Sequence, residues 1–367
     1  MATPEHIPPG IANAIDYERL APQTLEAGRL AYIAGGSGDD VTVRANRAAF
    51  GHWAIVPRLL RDVRAGHSRL MLGGMALPHP FLLAPVAHGR LAHPQAERAT
   101  AHAAAATSTC LVASTLTSNT LEEIAASAGP SRFFQLYLQE NPAHTLDLLR
   151  RAEATGYRAL VLTLDAHLQL PSRSALAAGF AMPSECVPAN LAHYAPSPAT
   201  ALAEGDSRIF QGAMRHAPTW DELRWLMQHT RLPLWIKGVA HPDDARRLKG
   251  AGAAGLIVSN HGGRGLDGSP ATLATLPGVR AAVGPGYPVL MDGGVRSGTD
   301  AFKALALGAD AVLIGRLQLY ALAAAGALGV AHMIQLLTEE LHATMAQAGC
   351  ATLADITPDH LTPALPC

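Results

Sequence analysis

At 367 residues the chain can hold two modest domains or one large α/β barrel, and length alone does not choose between them. Its 49% hydrophobic and 16% charged residues describe a well-packed globular protein, and with a formal net charge of −1 nothing basic enough for nucleic acid appears. Cys110, Cys186, Cys350 and Cys367 form no C-x-x-C pair of the kind that holds zinc, so no metal is expected and the four read as free thiols in a reducing compartment.

The opening MATPEHIPPGIANAIDYERL has prolines and acids where a secretory signal needs basic residues and an apolar core, which predicts a cytoplasmic protein. Residues 1 to about 80 are expected to form helices and a small hairpin outside the main body. Eight runs of strand character follow: Phe81–Ala84, Cys110–Ser114, Phe133–Tyr137, Ala159–Asp165, Pro233–Gly238, Gly255–Asn260, Pro288–Asp292 and Ala311–Gly315. Helical stretches such as PAHTLDLLRRAEATG, HPDDARRLKGAGA and GTDAFKALALGA lie between them and close at glycine or alanine-glycine. Eight strands alternating with helices predict a closed (β/α)8 TIM barrel at about 80–330 within a single domain, since an open doubly wound sheet needs only five or six. The spacing breaks once, at 166–219, where MPSECVPANLAHYAPSPAT predicts a lid-like loop after the fourth strand. The tail from about 330 is expected to be a terminal helix. No run reaches eighteen consecutive apolar residues, so no membrane span is expected.

In such barrels the chemistry gathers where strands end. Those ends carry Pro85-Val86-Ala87-His88, Ser114, Gln135 with Tyr137, Thr163 with Asp165, Lys237, Ser259-Asn260-His261, Asp292-Gly293-Gly294 and Gly315-Arg316. Lys237, inside LPLWIKGV, is a buried amine that needs a partner, and it suits an electron-rich cofactor such as a flavin. The glycine–arginine loops LMDGGVRSG and VLIGR, with Gly294, Arg296, Gly315 and Arg316, suit a phosphate. No G-x-G-x-x-G follows an early strand, so a Rossmann site is not indicated. In SNHGGRGLDGSP, His261 can act as a base and Arg264 can pair with a carboxylate, while Asp165 can hold the imidazole. No G-x-S-x-G nucleophile accompanies them, which argues against acyl transfer.

Taken together, SNHGGRGLDGSPAT, IKGV, DGGVRSGTDAFKALALGA, IGR, RFFQLY and APVAHGRLAHP resemble, in order, the FMN-dependent α-hydroxy acid oxidase and dehydrogenase family over about residues 25 to 357. The resemblance implies FMN in the barrel mouth and oxidation of a 2-hydroxy acid to a 2-oxo acid, with oxygen or a quinone-type acceptor taking the electrons. It implies His261 as base, supported by Asp165, with Tyr137 at the substrate oxygen, Arg264 and Tyr32 at the carboxylate, and Lys237 beside the reduced flavin. Pro85, Val86, Ala87, Ser114, Gln135, Thr163 and Ser259 would line the ring. Asp292, Gly294, Arg296, Gly315 and Arg316 would hold the ribityl chain and phosphate. A homotetramer or octamer is implied as well.

Two departures bear on the substrate. Where the family carries a second carboxylate-binding arginine, seven residues after the strand-four aspartate, this chain has Ser172, with Arg173 as the candidate replacement. Leu116 stands where glycolate oxidase has tryptophan, and His88 follows Ala87 near the expected substrate edge. The competing readings are a non-redox barrel enzyme of the isopentenyl diphosphate isomerase kind and a flavin-binding protein that has lost turnover.

Overall fold

A computed structural model describes residues 6–195 and 201–364. Eight parallel strands close into a barrel: β1 (Phe81–Leu83), β2 (Cys110–Ala113), β3 (Arg132–Leu136), β4 (Leu160–Thr163), β5 (Leu234–Val239), β6 (Gly255–Val258), β7 (Val289–Met291) and β8 (Ala311–Ile314). Each pairs with its sequence neighbour, and β8 pairs with β1 through Val312↔Phe81, Leu313↔Leu82 and Ile314↔Leu83. The eight expected strands are all present. Most are a residue or two shorter than the apolar runs, because the polar residue that closes a run lies just beyond the ladder.

The two-residue period of a strand explains how the barrel separates its floor from its mouth. Leu82, Val112, Phe133, Val161, Trp235, Ile257, Leu290 and Leu313 pack together in one buried cluster inside the lower barrel. Two residues further along, the same inward series becomes Ala84, Ser114, Gln135, Thr163, Lys237, Ser259, Asp292 and Gly315. One strand face is therefore apolar below and polar above. The expected hairpin, Leu70–Leu72 with Met75–Leu77, closes the floor through Leu72, Met75 and Leu77, so it seals the barrel instead of lying apart from it.

Helices start where expected. Asn141, His241 and Ser297 accept backbone N–H bonds at the starts of Pro142–Ala154, Pro242–Gly250 and Gly298–Ala306. The tail differs from expectation. One helical run, Arg316–Ala348, joins the barrel's last helix to the terminal helix with a break at Ala325–Gly326, where Gly326 is left-handed at φ 58°. By length and composition this run could cross a membrane, yet Leu317, Tyr320, Leu322, Val330, Met333, Leu337 and Leu341 are buried in the protein core. Beyond it, Leu361–Pro363 pairs antiparallel with Trp53–Ile55, an unexpected strand pair that ties the tail to the segment ahead of the barrel. Within the long connection at 166–219, of which 196–200 lie outside the described residues, Arg173–Ala177 is a short helix and Arg208–Ala213 a π-helical turn. Cys110, Cys186 and Cys350 are buried free thiols, whereas Cys367 lies outside the described residues.

Candidate active site

A cavity of about 1110 Å³, counting its open mouth, lies over the C-terminal ends of the strands. Of the expected site residues, Tyr32, Pro85, Val86, Ala87, Ser114, Tyr137, Lys237, His261, Arg264, Asp292, Gly294, Arg296, Gly315 and Arg316 line it. Gln135, Thr163, Asp165 and Ser259 sit behind that lining, with Gln135, Thr163 and Ser259 buried.

His261 is the residue around which the opening loop is built. Its backbone is left-handed (φ 57°), and Gly262 and Gly263 continue in positive φ at 62° and 81°. A histidine in that region costs on the order of 1–3 kcal/mol unless its surroundings fix it. The Ser259 hydroxyl does so by accepting the His261 N–H at 3.0 Å. His261 Nδ1 lies 3.0 Å from Asp165 Oδ1, which directs Nε2 toward the cavity, 3.5 Å from the Tyr137 hydroxyl. Gly238, at φ 103°, leaves the space that Asp165 fills, since a Cβ there would stand 2.6 Å from the Asp165 Cβ. Burial opposes ionisation of Asp165, but Lys237 and the His261 hydrogen bond outweigh it and hold the carboxyl at about 2. Burial pushes the Tyr137 phenol up to about 12, so it remains a donor.

Lys237 is buried and stays charged. Burial disfavours its ammonium, but Asp292 at 3.1 Å and the nearby Asp165 outweigh that and raise its pKa, while Ser259 Oγ accepts from Nζ at 2.7 Å. Asp165 and Asp292 therefore both face this one cation.

The arginines are engaged by the protein's own carbonyls and carboxylates. Arg264 Nη1 donates to the carbonyls of Tyr32 (2.9 Å) and Gly35 (3.0 Å). Arg316 donates to Ile33, Gly35 and Gly262 at 2.8–2.9 Å. Both cap the C-terminal carbonyls of the helix Ala27–Ala34, which carry the negative end of its dipole. Arg316, expected at the phosphate, has its guanidinium on these three carbonyls. Burial lowers its pKa, to about 10, which still leaves it charged at neutral pH. Arg296 also lines the cavity, with its guanidinium on Glu18 at 2.6 and 3.1 Å. Arg173 does not reach the site: its side chain is 73% exposed and paired with Asp39 at 2.8 Å. Ser172 accepts from Ala175 N and starts the short helix, which turns Arg173 outward.

The Arg264 guanidinium lies 4.6 Å over the Tyr32 ring, which in turn stacks on Phe180 at 4.5 Å. Sequence reading passed over Gln169, Ile33, Val295 and Leu319 in the cavity wall, and no local signal marks them. It also missed the clamp between Asn46 and Asn260, whose amides exchange two hydrogen bonds of 2.9 Å and fasten the helix Val41–Gly51 to the His261 loop.

The sequence matches the FMN-dependent dehydrogenase family model over residues 21–363. The chain belongs to that family. It is 74% identical to an L-lactate oxidase of Alicycliphilus denitrificans, covering 99% of this chain and 100% of the relative. It is 39% identical to glycolate oxidase 1 of Oryza sativa subsp. indica, covering 96% and 95%. A solved structure of mandelate oxidase with benzoyl-formic acid matches with a TM-score of 0.85 at 39% identity, covering 96% of this chain and 98% of that one.

This family member uses FMN, and its cavity fits the cofactor. Gln135 Nε2, Thr163 Oγ1 and Asp292 Oδ1 are buried at the barrel mouth without a hydrogen-bond partner. Buried polar atoms are rarely left so, and the polar ring edge and ribityl hydroxyls of FMN would satisfy them. The Gln135 side chain is oriented for this, because its Oε1 accepts from Ser114 Oγ and Thr115 N and so leaves the amide N–H free. At the other end Gly315 opens the helix Arg316–Ala348, and no atom stands within 4 Å of where its Cβ would be. That leaves room for a phosphate at the helix start, held by backbone N–H groups.

Proposed function

We propose that this protein oxidises L-lactate, or a close L-2-hydroxy acid, to the 2-oxo acid and passes the electrons to dioxygen. One observation carries the chemistry: the Asp165–His261 pair, Tyr137 and Arg264 converge on one cavity. His261 Nε2 takes a proton from the substrate while Nδ1–H donates to Asp165, whose negative charge stabilises the imidazolium that forms. The Tyr137 phenol, kept protonated by burial, donates to the substrate oxygen, and the Arg264 nitrogens not spent on Tyr32 and Gly35 bind the carboxylate. Lys237, buried and charged, would offset the negative charge that bound FMN gains on reduction. Bound FMN supplies the two-electron acceptor, and reoxidation by dioxygen yields hydrogen peroxide.

L-lactate as substrate and oxygen as acceptor draw support from the likeness to the L-lactate oxidase of Alicycliphilus denitrificans. The isomerase-like alternative has no use for a base and a carboxylate anchor in the same loop. A cytoplasmic homo-oligomer completes the reading, supported by the unpaired thiols and by the apolar pair Leu59 and Leu60, exposed at 84% and 104%. Turnover of L-lactate, D-lactate, glycolate and mandelate, with peroxide and oxo acid measured together, tests the substrate and acceptor. Equal amounts of peroxide and pyruvate, formed from L-lactate and not from D-lactate, are expected. Dye reduction without peroxide would replace oxygen with another acceptor.

A further inference from the structure

The substrate carboxylate has fewer donors here than the cavity's cationic residues suggest. Arg316 is committed to three carbonyls, Arg264 spends Nη1 on two, Arg173 is paired with Asp39 at the surface, and Ser172 caps a helix. A carboxylate offers two oxygens and about four lone-pair positions. The three unspent N–H groups of Arg264 and the Tyr32 hydroxyl can reach these positions, with Tyr137 used on the substrate hydroxyl, but no second cation joins Arg264 where Ser172 stands.

His88 lines the same cavity as Tyr32, Leu116, Gln169 and Arg264. It follows β1 in a left-handed backbone conformation, φ 56° and ψ 44°. That conformation is uncommon for histidine, and two bonds pin it: His88 N–H to the Leu116 carbonyl at 3.1 Å, and Leu91 N–H to the His88 carbonyl at 2.9 Å. The ring hydrogen-bonds to the Cys186 backbone and feels the charge of Arg264. Its Nδ1 is buried and has no hydrogen-bond partner. A strained backbone that presents an unsatisfied ring nitrogen beside a ligand cavity is explained when a ligand supplies the partner.

We propose that His88 is a substrate-binding residue that gives the hydroxy-acid carboxylate a hydrogen-bond donor alongside Arg264, filling the place that Ser172 leaves empty. The inference rests on the oxidase reading above. Burial lowers the His88 pKa from the ordinary imidazole value, opposed by the Cys186 backbone hydrogen bond and aided by Arg264. With the other ring nitrogen on the Cys186 backbone, Nδ1 gains the N–H it offers the substrate when the ring takes up a second proton as the carboxylate arrives.

The test uses the holoenzyme with two variants. His88→Gly removes the ring and suits the left-handed backbone, and His88→Asn tolerates that backbone with a shorter amide. Flavin absorbance is titrated anaerobically with pyruvate and with neutral lactamide, and the maximal rate of flavin reduction is read at saturating L-lactate. In His88→Gly, pyruvate affinity should fall by roughly tenfold to a hundredfold, the scale of a hydrogen bond to a charged group. Lactamide affinity and FMN content should hold within about twofold, and the apparent affinity for L-lactate should weaken more than the maximal reduction rate falls. Should His88→Gly lose its FMN, His88→Asn is read by the same criteria. Unchanged pyruvate affinity overturns the proposal. So does equal weakening of lactamide, which assigns the ring to shape instead of charge recognition. A wild-type flavin that no hydroxy acid bleaches refutes the oxidase reading, whereas a bleaching wild type with an indifferent His88 refutes this inference alone.

Discussion

Asp165→Asn removes one charge at nearly constant shape and tests how the base is supported. The wild-type carboxylate stands 3.0 Å from His261 Nδ1, and its carboxyl is held at about 2, so it is ionised throughout the working range. When His261 takes the substrate proton, an imidazolium–carboxylate pair forms at that distance. With an effective dielectric near 20, two unit charges so placed attract by roughly 5 kcal/mol. An asparagine oxygen can still accept the Nδ1–H bond, so part of this is retained, and about 3–5 kcal/mol of transition-state stabilisation should be lost. That corresponds to a flavin-reduction rate lower by about 10²–10⁴-fold. Stopped-flow measurement of flavin bleaching at saturating L-lactate reads it directly, with FMN content and pyruvate affinity as controls. A loss below about fivefold with both controls intact would show that His261 needs no anionic partner, and the dyad reasoning would fail.

Three further outcomes follow from the same structure. The Asp165 carboxyl is depressed from 3.8 unfolded to about 2 folded, so its contribution of roughly 2 kcal/mol is present above about pH 4 and lost as pH falls toward 2; the stability gap between wild type and Asp165→Asn, from denaturant titrations, should narrow over that interval. Gly255→Ala places a methyl group against the Trp235 ring in the barrel floor and should destabilise by about 1–3 kcal/mol, read as a lower thermal midpoint with unaltered FMN spectra. Arg173→Ala breaks an exposed pair with Asp39 and should leave pyruvate affinity within about twofold in the same flavin titration.

The barrel was legible because its signals are local. Each run such as LPLWIKGV or GLIVSN carries both its apolar floor residue and its polar mouth residue two positions later, so Trp235 with Lys237 and Ile257 with Ser259 could be read together. Asp165, Lys237 and His261 were legible on the same ground, since strand ends of one barrel meet at one face. What stayed hidden depends on distant partners. Whether Arg316 is free for a ligand is decided by the carbonyls of Ile33 and Gly35, which arrive from the far end of the chain, and nothing near VLIGR encodes that. Arg173 is turned away by the capping role of Ser172 and by Asp39. The pairing of Trp53–Ile55 with Leu361–Pro363 joins two short segments without strand-like alternation. The break at Gly326 lies in an alanine-rich run that, without tertiary context, reads as continuous helix.

The central claim is that His261 withdraws the substrate proton at a cavity that holds FMN, and anaerobic single-turnover reduction by L-lactate tests it most directly, comparing wild type with His261→Ala. The wild-type flavin should bleach within the mixing experiment and regain its colour in air. The variant should keep its FMN and bleach more slowly by about a hundredfold or more, the scale of a lost general base. Equal bleaching rates in the two proteins, or a wild-type flavin indifferent to L-lactate and every other 2-hydroxy acid, would contradict the account.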